Sequence, residues 1–130
     1  MKVLFVEDDA LNRRVVKDML SVVGATMAEA DNAEAGLEMI AAGDFHVVLM
    51  DLRMPGMDGE QAIKLLRARE DGKTRLPVIV VTADTAIDLR ERCIESGADE
   101  VLRKPVAMGP LLNAMGKMMA RRTAPSVTLS

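Results

Sequence analysis

Aromatic residues are almost absent from this chain, which has two Phe and neither Tyr nor Trp. Without rings there are no stacking platforms for single-stranded bases, and a net charge of −3 gives no basic footprint, so direct nucleic-acid binding is not expected. Cysteine is as scarce. Cys93 alone excludes an internal disulfide and a cysteine metal cage; a reducing compartment is the simplest setting, with Cys93 a plain helix position. The single histidine, His46, has no second histidine to work with and reads as solvated rather than catalytic. No apolar run approaches the ~20 residues of a membrane span. Met1-Lys2 leads straight into Val3-Leu4-Phe5-Val6 with no room for a signal peptide, so no membrane insertion is expected and the cytoplasm is the expected location.

What is present is ordinary for a globular protein: 49% hydrophobic and 28% charged residues in a chain of 130. That length fits one domain able to bury roughly two-thirds of its unfolded surface without staples. The expected domain covers 1–121, with 122–130 a flexible tail.

The stretch Val47-Val48-Leu49-Met50-Asp51 organises the rest. Apolar residues without alternation read as a strand buried on both faces, as in a parallel sheet covered by helices. Asp51 lies where that strand surfaces. Pro55 forbids continuation, and Gly56 and Gly59 free the backbone for a tight loop, so the acid is held at the carboxyl end of a rigid element. Open parallel sheets place their sites there.

The other segments repeat the pattern. Val3 to Val6 is a buried strand ending in Glu7-Asp8-Asp9, with Asp9 able to cap a helix from Ala10 to Val23 whose apolar residues are Leu11, Val15, Met19, Leu20 and Val23. A weak strand over Thr26 to Ala30 precedes a helix from Ala33 to Ala42, capped by Asp31-Asn32. The third strand spans Phe45 to Met50. A helix follows from about Glu60 to Arg69, with Ala62, Ile63, Leu65 and Leu66 inward, closed by Asp71-Gly72-Lys73. The fourth strand, Leu76 to Thr82, ends in a hydroxyl, and Ala86 to Ser96 reads as a helix stopped by Gly97. Glu100 to Arg103 is a short fifth strand followed by Lys104-Pro105. The last helix runs from about Met108 to Arg121 and places Met108, Leu111, Leu112, Met115 and Met119 on one face for core packing. Five strands alternating with five helices describe one doubly wound parallel sheet.

Parallel strands present their carboxyl ends on one rim, which gathers Glu7, Asp8, Asp51, Thr82 and Lys104. Each singly has a structural explanation: cap, turn acid, strand residue, solvated charge. Their joint placement on one rim is what points to chemistry. Crowded carboxylates raise one another's pKa unless a cation sits among them. With no His or Cys ligand at hand, all-oxygen coordination suits Mg²⁺ or Mn²⁺ rather than Zn²⁺. Lys104 and Thr82 supply a point charge and a hydroxyl for phosphoryl oxygens, and the Asp51 carboxylate can attack phosphorus to form an acyl phosphate.

The motifs Val6-Glu7-Asp8-Asp9, Leu49-Met50-Asp51, Met54-Pro55-Gly56-Met57-Asp58-Gly59, Val81-Thr82-Ala83 and Lys104-Pro105, in this order and spacing, resemble the receiver domain of two-component response regulators. The resemblance covers residues 2 to about 121. It implies a (βα)5 flavodoxin-like fold with strand order 2-1-3-4-5, Asp51 as phosphoacceptor, and Mg²⁺ held by Glu7, Asp8, Asp51 and the backbone carbonyl of Arg53. By the same likeness Asp8 ligates directly and Glu7 through water, while Thr82 and Lys104 read the phosphoryl oxygens. It implies a phosphohistidine donor on a histidine kinase or histidine phosphotransfer protein, and a downstream protein target. Such a domain catalyses only its own phosphorylation and dephosphorylation. Asp9-Ala10-Leu11-Asn12-Arg13 also resembles receivers of hybrid kinases, so both a stand-alone regulator and a hybrid-kinase receiver are open. Val101 stands where many members carry Tyr or Phe, and Val106 where Phe often follows Lys-Pro. The response is therefore expected through the loop after Thr82 rather than a ring swing at residue 101. Arg53 and Asp84, two residues beyond Asp51 and Thr82, are expected to pair across the mouth and modulate the site. Two other classes fit parts of the pattern: a small Mg²⁺-dependent phosphatase with Asp51 as nucleophile, and a flavin carrier, for which the acidic first loop is unsuited.

Overall fold

The computed structural model describes residues 1–123. Five parallel strands, β1 (Lys2–Val6), β2 (Thr26–Ala30), β3 (Val47–Asp51), β4 (Val78–Thr82) and β5 (Glu100–Arg103), form one sheet in the order β2-β1-β3-β4-β5. The helices are α1 (Ala10–Val22), α2 (Ala33–Ala42), α3 (Gly59–Arg67), α4 (Leu89–Ser96) and α5 (Met108–Thr123). This is the expected doubly wound flavodoxin-like architecture. The helix α5 reaches two residues into the tail expected over 122–130; the remainder lies outside the described residues. Among the described residues no helix is long and apolar enough to cross a membrane.

Side chains alternate across each strand, so neighbouring strand residues feed two separate cores. Val3, Phe5, Val47, Leu49, Ile79 and Val81 pack under α1 and α5, whereas Leu4, Val6, Val48, Met50, Val78 and Val80 pack under α2, α3 and α4. Both faces of the three central strands are dry, which is why their sequences do not alternate. The register sets Val6 beside Met50 and Asp51 beside Val81, so the central strands end nearly level and their last residues share one rim.

Several sequence expectations shift. Helix α1 faces the sheet through Val16 and Leu20, while Leu11, Val15 and Val23 are exposed. The inward stripe begins with two polar residues, Asn12 and Arg13, whose partners lie at the end of β1, and a reading of hydrophobicity alone rotates past them. Leu65 on α3 is likewise exposed. Strand β3 starts at Val47 rather than Phe45, and β4 at Val78, because a 3-10 turn over Gly72–Arg75 takes up the chain before it. Helix α4 begins at Leu89, three residues after the expected Ala86, since the Asp84 carboxylate accepts from the Ala86 amide and holds a turn there instead. On α5 the buried face is Leu111, Ala114, Met115 and Met118, with Met108, Leu112 and Met119 only half-buried. His46 is not simply solvated: it is half-buried, and its Nδ1 accepts from the Lys2 amide at 2.9 Å. Cys93 is buried in the α4 core, a plain helix position as expected.

Candidate functional site

Two helix caps fix the loops around the rim. Asp9 accepts from the Leu11 amide at 2.9 Å to start α1, and Asp58 accepts from the Gln61 amide at 2.8 Å to start α3. The loop after β3 turns at Gly56, whose φ of +82° favours glycine. Gly59 is required for a different reason: a Cβ there would sit 2.2 Å from the Asp51 carbonyl oxygen, so α3 abuts the end of β3 only if that residue has no side chain. The Lys104 amide donates to the Thr82 carbonyl at 2.8 Å, bringing the end of β5 alongside β4.

The structure gathers Glu7, Asp8, Asp51, Thr82 and Lys104 around a cleft of about 240 Å³. Glu7, Asp51 and Thr82 are buried, and Asp8 is exposed. Lys104 Nζ lies 2.7 Å from Glu7 Oε1 and 3.4 Å from Asp51 Oδ1. The Arg53 amide donates to Asp51 Oδ1 at 3.4 Å, and Thr82 Oγ1 accepts from the Asp84 amide at 3.1 Å. Arg53 Nη2 meets Asp84 Oδ2 at 2.6 Å, the expected pair, with Arg53 lining the cleft and Asp84 lining the adjoining hollow rather than the cleft itself. Val101 is half-buried against the α2–α3–α4 core. A larger hollow of about 620 Å³ lies at the opposite end of the sheet. Its Lys73 ammonium is already taken up by three carbonyls, so chemistry rather than size singles out the rim.

Electrostatically the cleft is unsettled. Burial first, and then the hydrogen bond and negative charge of Glu7, push the Asp51 carboxyl up to about 7, against the pull of Lys104 and the Arg53 amide. Burial would raise Glu7 too, but bonds from Asp51, Lys104 and Asn12 outweigh it and hold Glu7 below the usual range. For Lys104, burial works against the charge, yet Glu7 and Asp51 win and its pKa rises. Of the two buried acids, Asp51 is therefore the one whose ionisation is opposed near neutrality. With both ionised, Glu7 Oε2 is buried without a donor.

That orphaned oxygen is what a divalent cation would satisfy. Carboxylate oxygens of Glu7, Asp8 and Asp51 all lie within 4.8 Å of one another, one of them exposed to solvent. Three hard oxygen donors with an open side fit Mg²⁺ or Mn²⁺.

Sequence reasoning missed two residues of this neighbourhood. Asn12 Nδ2 donates to Glu7 Oε1 at 2.8 Å, and Arg13 Nη1 donates to the Glu7 carbonyl at 2.7 Å while its Nε meets Glu29 at 3.0 Å. Their signal was available: polar residues one and two turns before Val16 and Leu20 on the same helix face, directly after an acidic strand end.

A family model described as the response regulator receiver domain matches residues 3–116. The response regulator protein FleR of Pseudomonas aeruginosa is 38% identical over 116 residues, which is 89% of this chain and 24% of that one. The sensor histidine kinase RcsC of Escherichia coli is 38% identical over 108 residues, 83% of this chain and 11% of that one. The chain thus spans about a quarter or less of the length of these curated relatives. Among solved structures, a Francisella response regulator receiver domain superposes with a TM-score of 0.85 at 26% identity, covering 93% of this chain and 98% of that one. The receiver domain of a Pseudomonas aeruginosa sensor histidine kinase, with a magnesium ion coordinated in its active site cleft, gives 0.82 at 28% identity and covers 92% and 97%.

Proposed function

Because the chain belongs to the response regulator receiver domain family, we propose that it is the phosphorylation-activated switch of a two-component phosphorelay, with Asp51 as its phosphoacceptor. The observation that carries this reading is a buried carboxylate at the rim of a parallel sheet, with acids on one side and Lys104 and Thr82 on the other. The phosphoryl group comes from a phosphohistidine on a histidine kinase or histidine phosphotransfer protein. A carboxylate oxygen of Asp51 attacks phosphorus as the P–N bond breaks. The bond's electron pair returns to the imidazole, which, already protonated on its other nitrogen in the phosphohistidine, leaves as neutral histidine, and an acyl phosphate remains on Asp51.

Glu7, Asp8, Asp51 and the backbone carbonyl of Arg53 would hold Mg²⁺, with Mn²⁺ also suited. When bound, that ion offsets the charge of the carboxylates and phosphoryl oxygens. Thr82 and Lys104 would offer those oxygens a hydroxyl and an ammonium. Residues 1–121 act as one cytoplasmic signalling domain that contacts a downstream protein and catalyses only its own phosphorylation and dephosphorylation. Neither DNA nor a membrane takes part directly.

Acetyl phosphate with Mg²⁺ is expected to label the protein once, read by intact mass, and Asp51→Asn to abolish the label. Equal labelling of that variant, or of wild type in excess chelator, overturns the assignment. Continuous turnover of a phosphomonoester would point to the phosphatase instead.

A further inference from the structure

Two donors converge on a single atom beside the metal-binding acids. Glu7 Oε1 receives Asn12 Nδ2 at 2.8 Å and Lys104 Nζ at 2.7 Å, while Oε2 is buried with no donor. The terminal torsion of a Glu carboxylate is soft, so pinning one oxygen decides where the other points. Here it leaves Oε2 buried and undonated on a carboxylate that has an oxygen within 4.8 Å of those of Asp8 and Asp51. The two donors differ in how firmly they stay. Lys104 already divides itself between Glu7 and Asp51, and its flexible stem would follow a phosphoryl dianion placed on Asp51. Asn12 sits in the first turn of α1, a turn tied to the same strand end because Arg13 donates to the Glu7 carbonyl at 2.7 Å. Its amide also brings no positive charge toward a bound cation.

We infer that Asn12 is a positioning residue that holds Glu7 in its metal-facing pose and substitutes for Lys104 on Glu7 Oε1 when the lysine leaves. The inference rests on the metal reading above and deepens it: it makes α1 part of the acid cluster rather than a packing helix alone. Partners that orient a metal ligand commonly change affinity by about 10- to 100-fold when removed, and here two such partners back each other up.

The test is Mn²⁺ binding to the full, unphosphorylated chain, read by the paramagnetic resonance of the free ion. Asn12→Ala and the near-isosteric Asn12→Leu are each made in wild type and in Lys104→Met, the second variant standing in if the first folds poorly. In wild type, where Lys104 remains on Oε1, the expected loss of affinity is small. In Lys104→Met it is about tenfold or more, and this difference between backgrounds, rather than any change in metal-free melting temperature, is what a merely structural role would not produce. Affinities within about twofold in both backgrounds, or an equal loss in both, overturn the inference. Asp8→Ala separates the two failures. If it lowers Mn²⁺ affinity while the Asn12 variants do not, the role of Asn12 alone falls; if it binds Mn²⁺ as wild type does, the metal site is misplaced and the role of Asn12 falls with it.

Discussion

At the amino end of β4 and β5 a half-buried cation is saturated, whereas at the carboxyl end of β1 and β3 buried anions are left wanting a partner. The Arg67 guanidinium donates to the carbonyls of Gly97, Thr74 and Leu76 at 2.9, 2.8 and 2.7 Å and to Asp99 at 3.0 Å, and Asp99 in turn accepts from the Val78 amide at 2.8 Å. Lys73 completes that end by donating to the Ile40, Ala41 and Gly43 carbonyls, each at 2.8 Å, which closes the carboxyl terminus of α2. At the opposite rim Glu7 Oε2 has no donor once both acids are ionised, and burial beside Glu7 raises the Asp51 carboxyl to about 7. Burial is common to both ends, so it does not explain the contrast. What differs is the supply of opposite partners. The amino end spends its cations on loop carbonyls and holds the fold, while the rim keeps an excess of negative charge that an incoming cation and phosphoryl group can relieve.

If the contrast is right, removing charge should act with opposite sign at the two ends. Arg67→Ala strands three carbonyls and leaves Asp99 with only the Val78 amide and Arg121, and is expected to destabilise the fold by about 3 kcal/mol in urea titrations, toward the low end for a broken buried pair because the side chain keeps some solvent access. Arg67→Lys should recover less than half of this, since an ammonium cannot span acceptors placed for a planar fork. A loss below about 1 kcal/mol would reduce Arg67 to an ordinary surface charge. At the rim, Asp51→Asn should stabilise the metal-free protein, by about 2 kcal/mol at pH 8, as it removes a buried acid and lets an amide donate to Glu7. The pH dependence follows from the raised carboxyl. Its proton binds the folded state more tightly than the unfolded one, so its stabilising contribution is complete below about 3.8 and is lost as pH rises through about 7. Glu7, depressed instead, begins to lose its contribution only as pH falls past its ordinary 4.5, at the acid edge of that window. The advantage of Asp51→Asn should therefore grow between about pH 4 and pH 7 and then level off. An advantage that is flat with pH would mean that Asp51 is not the proton holder.

The same asymmetry governs what could be read without coordinates. The rim was legible because its residues are side chains of distinctive type at the ends of apolar strands, and parallel strands must bring those ends together. Glu7, Asp51, Thr82 and Lys104 follow from that rule alone. The amino end was not legible, since the acceptors of Arg67 and Lys73 are backbone carbonyls, which carry no mark in the sequence. The face of α1 went astray for a related reason: Asn12 and Arg13 point inward to satisfy Glu7, so the hydrophobic stripe understates the buried one. On α4 an Asp84 side-chain turn replaces the first helical turn that Ala86 and Ile87 suggest. Helix propensity is weak enough for one such bond to override it.

The smallest expected effect lies between the two regimes, at the mouth, where Arg53 is largely exposed and Asp84 is not. Hydrolysis of an acyl phosphate on Asp51 needs a water in line with phosphorus, and Arg53, which lines the cleft such a water would cross, is held at 2.6 Å by Asp84. The consequence should appear in rate rather than stability, because the charges meet at the surface and solvent screens them. The two residues are not equivalent. Asp84 also accepts from the Ala86 amide at 2.9 Å, and its own amide donates to Thr82 Oγ1, so its removal loosens the loop as well as the gate. Arg53→Ala should speed the decay of phosphorylated protein severalfold after donor removal in saturating Mg²⁺, and Asp84→Ala should speed it at least as much. The double variant is expected to decay no faster than Asp84→Ala, since the pair has one gate to open. Decay unchanged or slowed in both single variants would leave the pair as two surface charges with no part in the lifetime. Multiplying rates in the double variant would show two separate barriers to water instead of one.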